Sequence, residues 1–499
     1  MKEIRIPDEV TEIARVLGER GYQAHLVGGC VRDLLTGTPP NDWDIATDAL
    51  PEDVLKLFED SVYENDFGTV GVKTESGEPA LKIVEVTTFR TEGAYSDRRR
   101  PDEVNFVSTI EQDLARRDFT INAMAINLNP ASGTGRSQAS NLKNKITDPY
   151  GGEKDLKKKV IRAVGEAEDR FEEDALRLMR AIRLAAQLGF SVEKKTGEAI
   201  KRKSGLLAEI AKERVRDEFR KLIMTPRAAE GVFALEEYKL LEHVIPELRE
   251  GIGCAQNKHH IYTVFEHNVR ALEYAAQKGY SLEVRLAALL HDSGKPMTKR
   301  GKNDEATFHG HEMVSARIVK DALTRLRFSK VTIEKVRHLV RYHMFYYNVG
   351  EVSESGVRRF ISRVGEENID DILRVREADR IGSKVPKAFP YKLRHLLFMI
   401  DKVRHDPVHP KMLAVKGDDV MRMLGIDPGK KVGSILFVLL DEVLDDPSRN
   451  TKEYLEARVR ELGEMPDKEL EKRAEEGRRK RDEVEDDIEA GMKKRHFVK

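Results

Sequence analysis

Residues 26–47 constrain this chain more than any other stretch, and they read LVGGCVRDLLTGTPPNDWDIAT. The pattern predicts a short apolar strand, a glycine turn, a helix and a second strand. In the Gly28–Gly29 turn the main chain can approach a bound group closely, and Arg32 follows near enough to neutralise phosphate. Asp42 and Asp44 are two residues apart, so on a strand both carboxylates face one side, where they can hold Mg²⁺. We interpret the stretch as a corner that binds phosphate and metal.

Each part of this stretch also has an ordinary structural explanation. A pair of glycines often only connects a strand to a helix. An Asp-x-Asp pair in a chain with 35% charged residues often belongs to a solvated surface. The interpretation therefore depends on the order of the parts and on the rest of the chain.

The composition favours several domains and argues against some classes of protein. With 499 residues the chain is too long for one ordinary core, and we expect three or four domains. Its 87 basic and 87 acidic side chains balance, so a nucleic-acid surface must be a local patch. Cys30 and Cys254 cannot form a disulfide framework. Without a signal peptide or an apolar run of membrane length, we expect a soluble, cytoplasmic protein with no membrane contact.

The ordered combination in residues 26–47 resembles the opening motif of the class II tRNA nucleotidyltransferase and bacterial poly(A) polymerase family, part of the DNA polymerase beta nucleotidyltransferase superfamily. The resemblance implies that Gly29 and Arg32 position a nucleotide and that Asp42 and Asp44 hold Mg²⁺ at the catalytic centre. In the apolar stretch 81–89, Glu85 matches the third acidic position of the superfamily. Glu85 also suits an ordinary outward-facing strand residue.

Two more segments resemble parts of this family. Residues 91–106, TEGAYSDRRRPDEVNF, resemble the flexible loop near the nucleotide, although three arginines at 98–100 also suit a solvated charge run. Residues 116–123, RRDFTINA, resemble the second motif. There Arg117 can hold the triphosphate or the ribose, and Asp118 can bond the sugar or orient the arginine.

The segment after the second motif first departs from the family pattern and then resembles it again. Residues 130–145 replace a tight turn, and we expect an enlarged, mobile hairpin loop without a catalytic role. Residues 148–156, DPYGGEKDL, resemble the third motif and suit a hinge between the head and a helical neck.

Residues 170–190, RFEEDALRLMRAIRLAAQLGF, predict an amphipathic helix. Asp174, Arg177, Arg180 and Arg183 recur every three residues, so neighbours lie within reach of one another. The stripe suits a solvated basic face. It also suits base recognition, because a carboxylate accepts from an exocyclic amine and a guanidinium donates to ring acceptors.

The resemblance favours base recognition. Glu173, Asp174 and Arg177 match the E-D-x-x-R motif by which the family selects cytosine or adenine without a template. Arg180 and Arg183 are then expected to face the triphosphate or the incoming RNA end. The fifth motif, matched by IAKERVRDEFRKLI at 210–223, implies contact with the acceptor stem and adds to a local basic surface.

A second set of candidate ligands follows residue 251. His260, His267, His291, Asp292 and Asp379 resemble the H…HD…D arrangement of the HD phosphohydrolase superfamily. The resemblance implies that the last four of these bind a divalent metal, and histidine with carboxylate ligands suits a transition metal. Such a site generates hydroxide that can attack phosphorus.

Three neighbouring side chains have two explanations each. His311 and His343 match positions that complete a second metal site in some HD proteins, and they also suit structural or surface histidines. Lys295 can hold a substrate phosphate or simply begin a helix after Gly294.

The expected fold class is α+β, with a polymerase-beta-type nucleotidyltransferase head (a small mixed sheet with helices) before an all-α neck, an HD domain and a C-terminal helical arm. The expected boundaries are 1–165 for the head, 166–255 for the neck and body, 256–385 for the HD domain, 386–464 for a helical tRNA-binding tail and 465–499 for a charged, solvated tail.

The resemblance implies template-independent addition of CCA to the 3′ end of tRNA from CTP and ATP, with Mg²⁺ in the head and no obligate protein partner. The terminal 3′-hydroxyl attacks the α-phosphate of the bound nucleotide. A poly(A) polymerase, an A-adding enzyme or a CC-adding enzyme shares nearly all these motifs. An HD phosphohydrolase with an inactive, RNA-binding head is the alternative from another class, and a pure binding protein leaves two ligand sets without a role.

Overall fold

The computed structural model describes residues 6–65, 68–93, 104–129, 146–256, 261–301, 305–345, 347–384, 390–404 and 413–476, with 494 and 497. Contacts divide the chain into two compact units, residues 1–343 with 371–386, and residues 344–370 with 387–499. Most of the expected basic loop, the whole 130–145 loop and His260 lie outside the described residues. Within the described ranges, no helix has the length and apolar character to cross a bilayer.

The first unit begins with a small α+β head. Its elements in chain order are α1 (Asp8–Glu19), β1 (His25–Val27), α2 (Gly29–Thr36), β2 (Asp44–Thr47), α3 (Pro51–Leu57), β3 (Ser61–Asn65), β4 (Thr69–Lys73), β5 (Ile83–Thr88), β6 (Arg90–Glu92), β7 (Val104–Phe106), α4 (Ile110–Ala115), β8 (Ala125–Asn127), β9 (Ile146–Thr147), α5 (Gly152–Lys158) and β10 (Val160–Ile161).

Seven of these strands form a mixed sheet in the order β3-β4-β5-β2-β1-β8-β9. Only the β2–β5 pair in this sheet is parallel, and it places Asp44 beside Glu85. In β5 the side chains of Val84 and Val86 are buried and Glu85 is exposed between them, as alternation along a strand requires. Glu85 therefore lies on the face of the sheet that carries Asp44.

Helices continue the first unit beyond the head. They are α6 (Ala167–Glu173), α7 (Leu176–Leu188), then after β11 (Ser191–Val192) α8 (Lys194–Lys203), α9 (Lys212–Ile223), α10 (Ala228–Glu237), α11 (Leu241–Val244), α12 (Val264–Gln277), α13 (Leu282–Leu290), α14 (Lys295–Thr298), α15 (His311–Arg325) and α16 (Lys330–Tyr342). The α+β fold class is confirmed, and α7 packs against α9 and α10 through an apolar face that includes Leu178 and Ile182.

Two details of the helical region differ from the prediction. The single helix expected over 170–190 is two helices, because Asp174 has extended backbone angles between α6 and α7. The neck is also not wholly helical, since Ser191 and Val192 form a short parallel pairing with β10. Periodicity did not reveal the break because apolar spacing continues across it.

Small side chains let the helices of the HD region approach closely. Ala271 and Ala275 of α12 pack with Ala288 of α13 and Ala378. A capping box between Thr263 and Glu266 fixes the start of α12. This close packing brings side chains from several helices into one buried cluster.

The second unit is helical in its described part. It contains α17 (Glu354–Val364), α19 (Tyr391–Arg404), α20 (Gly417–Leu424), α21 (Lys430–Asp445) and α22 (Lys452–Glu464), while most of α18 (Ile369–Gly382) belongs to the first unit. Residues 467–476 are also helical, and Leu470 and Ala474 are buried in the core of this unit. The expectation of a solvated tail from residue 465 is therefore wrong for 467–476, because two apolar side chains one helical turn apart suffice to dock them.

Candidate nucleotide and metal sites

The glycine turn lies where the sequence places it, between β1 and α2. Gly28 has φ of 76°, a conformation that favours glycine. A Cβ atom on Gly28 would lie 3.0 Å from an Arg117 amino group and 3.3 Å from Asp44 Oδ2. A Cβ on Gly29 would lie 3.8 Å from Asp42 Oδ1. The turn, the acidic pair and the arginine of the second motif therefore meet at one point.

Three carboxylates come together beside this turn. Asp42 precedes β2 rather than lying on it, and Trp43 between the two aspartates is buried. Asp42 and Asp44 both line the same cavity, and Glu85 is the neighbour of Asp44 across the strands. Burial, with the negative charges of Glu85 and Asp42, raises the pKa of Asp44 to about 7. Such a cluster suits a divalent cation, which offsets the repulsion.

Arg32 is buried at the edge of the cavity rather than solvated. Its Nε donates to Asp33 at 2.8 Å and one amino group donates to Asn122 at 2.9 Å. Asn122 therefore holds Arg32 at the edge of the cavity.

The two residues predicted to contact sugar or phosphate in the second motif have different environments. Arg117 lines the cavity and donates to Asp113 at 3.0 Å. Asp118 accepts two hydrogen bonds from Arg180, at 2.9 and 2.6 Å, and one from Asn122 at 3.1 Å. Burial alone would raise the pKa of Asp118, but Arg180 lowers it to about 2. Asp118 therefore holds Arg180, whereas the neighbouring Arg117 is held by Asp113.

The break between α6 and α7 fixes Asp174. One carboxylate oxygen accepts from the main chain of Leu176 at 3.0 Å and from Arg214 at 3.1 Å, and the other accepts from Arg214 at 2.8 Å. Arg177 is held as firmly, because it donates to Glu173 at 2.6 Å and to the carbonyl of Arg116 at 3.1 Å. The candidate base-reading pair is thus pre-positioned by other side chains.

Arg180 and Arg183 line the cavity, as expected, but each is paired with a carboxylate. Arg180 pairs with Asp118, and Arg183 Nε donates to buried Glu218 at 2.6 Å. Their charges are therefore partly neutralised within the protein before any phosphate arrives.

One cavity of about 920 Å³ contains nearly the whole predicted site of the first unit. Among the predicted residues, those that line it are Gly29, Arg32, Asp42, Asp44, Arg117, Asp118, Asp174, Arg177, Arg180 and Arg183. Glu85 adjoins it beside Asp44. Sequence reasoning missed Arg214 and Glu218, which lie on α9 in the predicted fifth motif, although the regular spacing of charges in that motif was a signal.

The HD residues form a second cluster, buried among α12, α13, α15, α16 and α18. His267 Nε2 lies 3.2 Å from Asp292 Oδ2 and 3.3 Å from Asp379 Oδ1. His291 Nε2 lies 3.3 Å from the same Asp292 oxygen. The four predicted ligands are thus together, which supports a metal site there.

His311 and His343 belong to this cluster and are buried, so they are not surface histidines. Their Nε2 atoms lie 3.1 and 3.7 Å from Asp292 Oδ1. The donor atoms of Asp292, His311 and His343 are close enough to hold an ion, as are those of His267, His291 and Asp292. Asp292 is shared by the two groups.

The main chain sets the tautomers of these rings. Nδ1 of His291, His311 and His343 each faces a carbonyl three residues earlier, at 2.9, 2.7 and 2.7 Å. Each Nδ1 therefore carries a proton, and each Nε2 faces the interior of the cluster. Burial alone would lower the pKa of His291, but Asp292 and Asp379 raise it to about 10. Burial lowers the pKa of His343 to about 3, so this ring is neutral. Lone pairs facing carboxylate oxygens repel unless a cation lies between them.

Lys295 begins α14 and is buried beside the cluster. Its ammonium lies 2.5 Å from Asp292 Oδ2 and 2.7 Å from Gln256 Oε1. Lys295 begins a helix, as one of its two explanations requires, and its charge is directed at Asp292.

Three domain families match the chain. Residues 24–162 match the poly A polymerase head domain, residues 189–252 match a probable RNA and SrmB-binding site of polymerase A, and residues 264–382 match the HD domain.

Relatives and solved structures match over most of the chain. An A-adding tRNA nucleotidyltransferase of Deinococcus radiodurans is 34% identical over 84% of this chain and 91% of its own. A CCA-adding enzyme of Streptococcus thermophilus is 31% identical over 93% of this chain and 100% of its own. A crystal structure of the Bacillus stearothermophilus CCA-adding enzyme with CTP aligns with a TM-score of 0.58 at 29% identity, over 91% of this chain and 96% of that one.

These matches agree with the acidic edge, the arginine-rich cavity and the buried HD cluster described above. The chain belongs to the tRNA nucleotidyltransferase and poly(A) polymerase family, and it carries an HD domain.

Proposed function

We propose that this protein adds CCA to the 3′ end of tRNA from CTP and ATP. One observation carries the proposal: a single cavity contains both an acidic metal edge and a rigid carboxylate–arginine pair. A polymerase that copies a template needs only the first of these in its protein, since the template supplies base selection. The pair at Asp174 and Arg177 supplies selection from the protein itself.

The acidic edge is the catalytic end of the cavity. Membership of this family implies dependence on a divalent metal, and we assign Mg²⁺ to Asp42 and Asp44 with Glu85 as the third carboxylate. Such a metal supplies activation of the attacking hydroxyl and stabilisation of charge on the leaving pyrophosphate. The Gly28–Gly29 turn admits the triphosphate close to the main chain, and Arg117 neutralises it.

Base selection takes place at the other end. Asp174 retains a free acceptor position on the oxygen that accepts only from Arg214, and it can receive the exocyclic amine shared by cytosine and adenine. Arg177 is anchored by Glu173 and by main-chain carbonyls, so its remaining donors point in fixed directions. Uracil and guanine present no amine in that place and are rejected.

Addition of A alone is the nearest alternative. The two full-length relatives described above carry different names, one A-adding and one CCA-adding, at similar identity. The intact loop at 91–101 argues against a CC-adding enzyme, which typically has it shortened, and the assay below separates A addition from CCA addition.

A second function is favoured by the buried histidine cluster. Four buried histidines around a shared aspartate suit one or two divalent transition metals and hydrolysis of a phosphate ester. We propose that this cluster acts on phosphorylated RNA ends. The alternative of an inactive head is disfavoured because all three carboxylates and Arg117 are in place.

Three tRNA transcripts test these proposals, one ending before CCA, one after C and one after CC. Each is incubated with protein, Mg²⁺ and labelled CTP or ATP, singly and together. Completion to CCA followed by a stop supports the proposal, long A tails indicate a poly(A) polymerase, and addition of one base type indicates a partial enzyme. No incorporation overturns it. Asp42→Ala should abolish incorporation and leave hydrolysis of a 2′,3′-cyclic phosphate end unchanged.

A further inference from the structure

Asp113 is a fully buried carboxylate directly below the nucleotide cavity. It lies on α4, and its side chain is 0% exposed. One oxygen accepts from Arg116 at 2.9 and 2.8 Å, and the other accepts from Arg117 at 3.0 Å. Burial alone would raise the pKa of Asp113, but the two arginines lower it, so the carboxylate is charged. One buried anion therefore holds two consecutive arginines.

The hydrogen bond from Arg117 to Asp113 uses one side of the guanidinium and leaves the other side directed at the cavity. The opposite amino group is the one that would lie 3.0 Å from a Cβ on Gly28. In the described part of the chain, Nε of Arg117 is buried and makes no hydrogen bond. Arg117 thus uses one edge for Asp113 and keeps donors for a group at the glycine turn.

The amino group of Arg117 that faces away from Asp113 lies near the catalytic Asp44, since both would be within 3.3 Å of a Cβ on Gly28. Arg117 already lowers the pKa of Asp44 through its charge. A guanidinium freed from Asp113 would turn toward Asp44 and Asp42 and form an ion pair there. That pair would occupy the carboxylates needed for metal and remove the cation needed for phosphate.

The same segment also supports the base-reading arginine. The carbonyl of Arg116 accepts from Arg177 at 3.1 Å, and the carbonyl of Ala115 accepts from Arg170 at 3.1 Å. Because Asp113 fixes the side chain of Arg116, it also fixes the peptide that holds Arg177. The distance between the phosphate arginine and the base arginine is therefore set through this carboxylate.

We propose that Asp113 is a positioning residue for nucleotidyl transfer. It keeps Arg117 directed at the triphosphate and away from the catalytic carboxylates. It also fixes the position of Arg177 relative to Arg117. The inference rests on the proposed transferase function. Asp113 touches neither nucleotide nor metal and acts through the two arginines.

The test compares Asp113→Asn with Asp48→Asn. Asp48 accepts from Gln23 at 2.7 Å in the same head and does not line the cavity, so it controls for the loss of a hydrogen-bonded carboxylate. We expect Asp113→Asn to raise KM for CTP and ATP about tenfold and to raise the Mg²⁺ concentration for half-maximal rate. KM for tRNA should be unchanged. Asp48→Asn should leave all of these unchanged.

A double-mutant cycle separates positioning from loss of fold. In an Arg117→Gln background, Asp113→Asn should change the Mg²⁺ requirement little, since the arginine that invades the carboxylates is absent. Asp113→Glu keeps the charge but displaces it, and should show a smaller rise in KM if Asp113→Asn does not fold. Additive effects, or parallel loss of kcat and melting temperature without a KM or Mg²⁺ change, overturn the inference. Absence of incorporation by the unaltered protein overturns the proposed function instead.

Discussion

Asp174 and Arg214 form a two-point salt bridge across the cavity wall, with the guanidinium donating to both carboxylate oxygens at 3.1 and 2.8 Å. The bridge links the turn between α6 and α7 to α9, 40 residues later. A carboxylate held at two points cannot rotate freely, so Arg214 supports the role in base selection that we propose for Asp174.

Replacing Arg214 should therefore weaken discrimination between nucleotides more than it slows nucleotide transfer. Arg214→Gln releases Asp174, and we expect the ratio of kcat/KM for CTP over UTP to fall about tenfold or more. Single-nucleotide incorporation with each of the four triphosphates measures this. Arg216→Gln, on the same helix but outside the cavity lining, is the matched control. Unchanged discrimination in Arg214→Gln would contradict a role for the bridge.

The acidic edge predicts a metal-dependent stability of the head. Because the folded pKa of Asp44 is raised to about 7, its contribution to stability is fully present below pH 4 and is lost as pH rises through 7. At pH 8 in EDTA, Glu85→Gln should thus raise the melting temperature, since one repulsive charge is gone. Calorimetry with and without Mg²⁺ measures this.

Added Mg²⁺ should reverse the order of the melting temperatures of the unaltered protein and Glu85→Gln at pH 8. Mg²⁺ should raise the melting temperature of the unaltered protein more at pH 8 than at pH 6, because at pH 6 protons compete with the metal for Asp44. At pH 8, Mg²⁺ should raise the melting temperature of Glu85→Gln less than that of the unaltered protein. Equal gains in the two proteins would argue that Glu85 does not belong to the metal site.

The histidine cluster predicts a metal content that depends on individual rings. His291→Ala and His343→Ala should each remove part of the bound transition metal, because each ring belongs to one of the two groups that share Asp292. Elemental analysis by mass spectrometry measures the ratio of metal to protein. His243→Ala, a ring that pairs with Glu242 outside the cluster, should keep full metal. Nucleotide incorporation should be normal in all three variants.

We expect a large stability effect at Arg285, a residue that belongs to neither candidate ligand set. This buried arginine donates to the carbonyls of Ile223 at 2.9 Å and Thr225 at 3.1 Å, at the end of α9. Arg285→Met leaves buried carbonyls without donors and should cost about 3 kcal/mol, seen as a lower urea midpoint for the first unit. Arg249→Met removes exposed ion pairs and should shift the midpoint little.

Local patterns predicted the elements of the head and the residues near them in sequence. The glycine turn follows from spacing, and the face that Asp44 and Glu85 share agrees with the third acidic position that the resemblance implied. The HD ligands also came together as the family resemblance implied.

The partners of the charged residues could not be predicted in the same way. Asp118 pairs with Arg180 across 62 residues, and Asp174 with Arg214 across 40. In a chain rich in both charges, many pairings are possible and only the packing of α7 against α9 chooses among them. For the same reason, the break at Asp174 depends on a tertiary salt bridge rather than on a local helix-breaking residue.

The Arg285 contact also has a consequence for how this protein can be divided. α13 carries Arg285 near its start and is followed at its end by His291 and Asp292. A fragment ending at residue 255 keeps every nucleotide ligand yet loses the guanidinium that closes the end of α9, beside Thr225 in the cavity wall. Such a fragment would lack a support of its cavity wall, so the nucleotide cavity and the histidine cluster share one piece of scaffold.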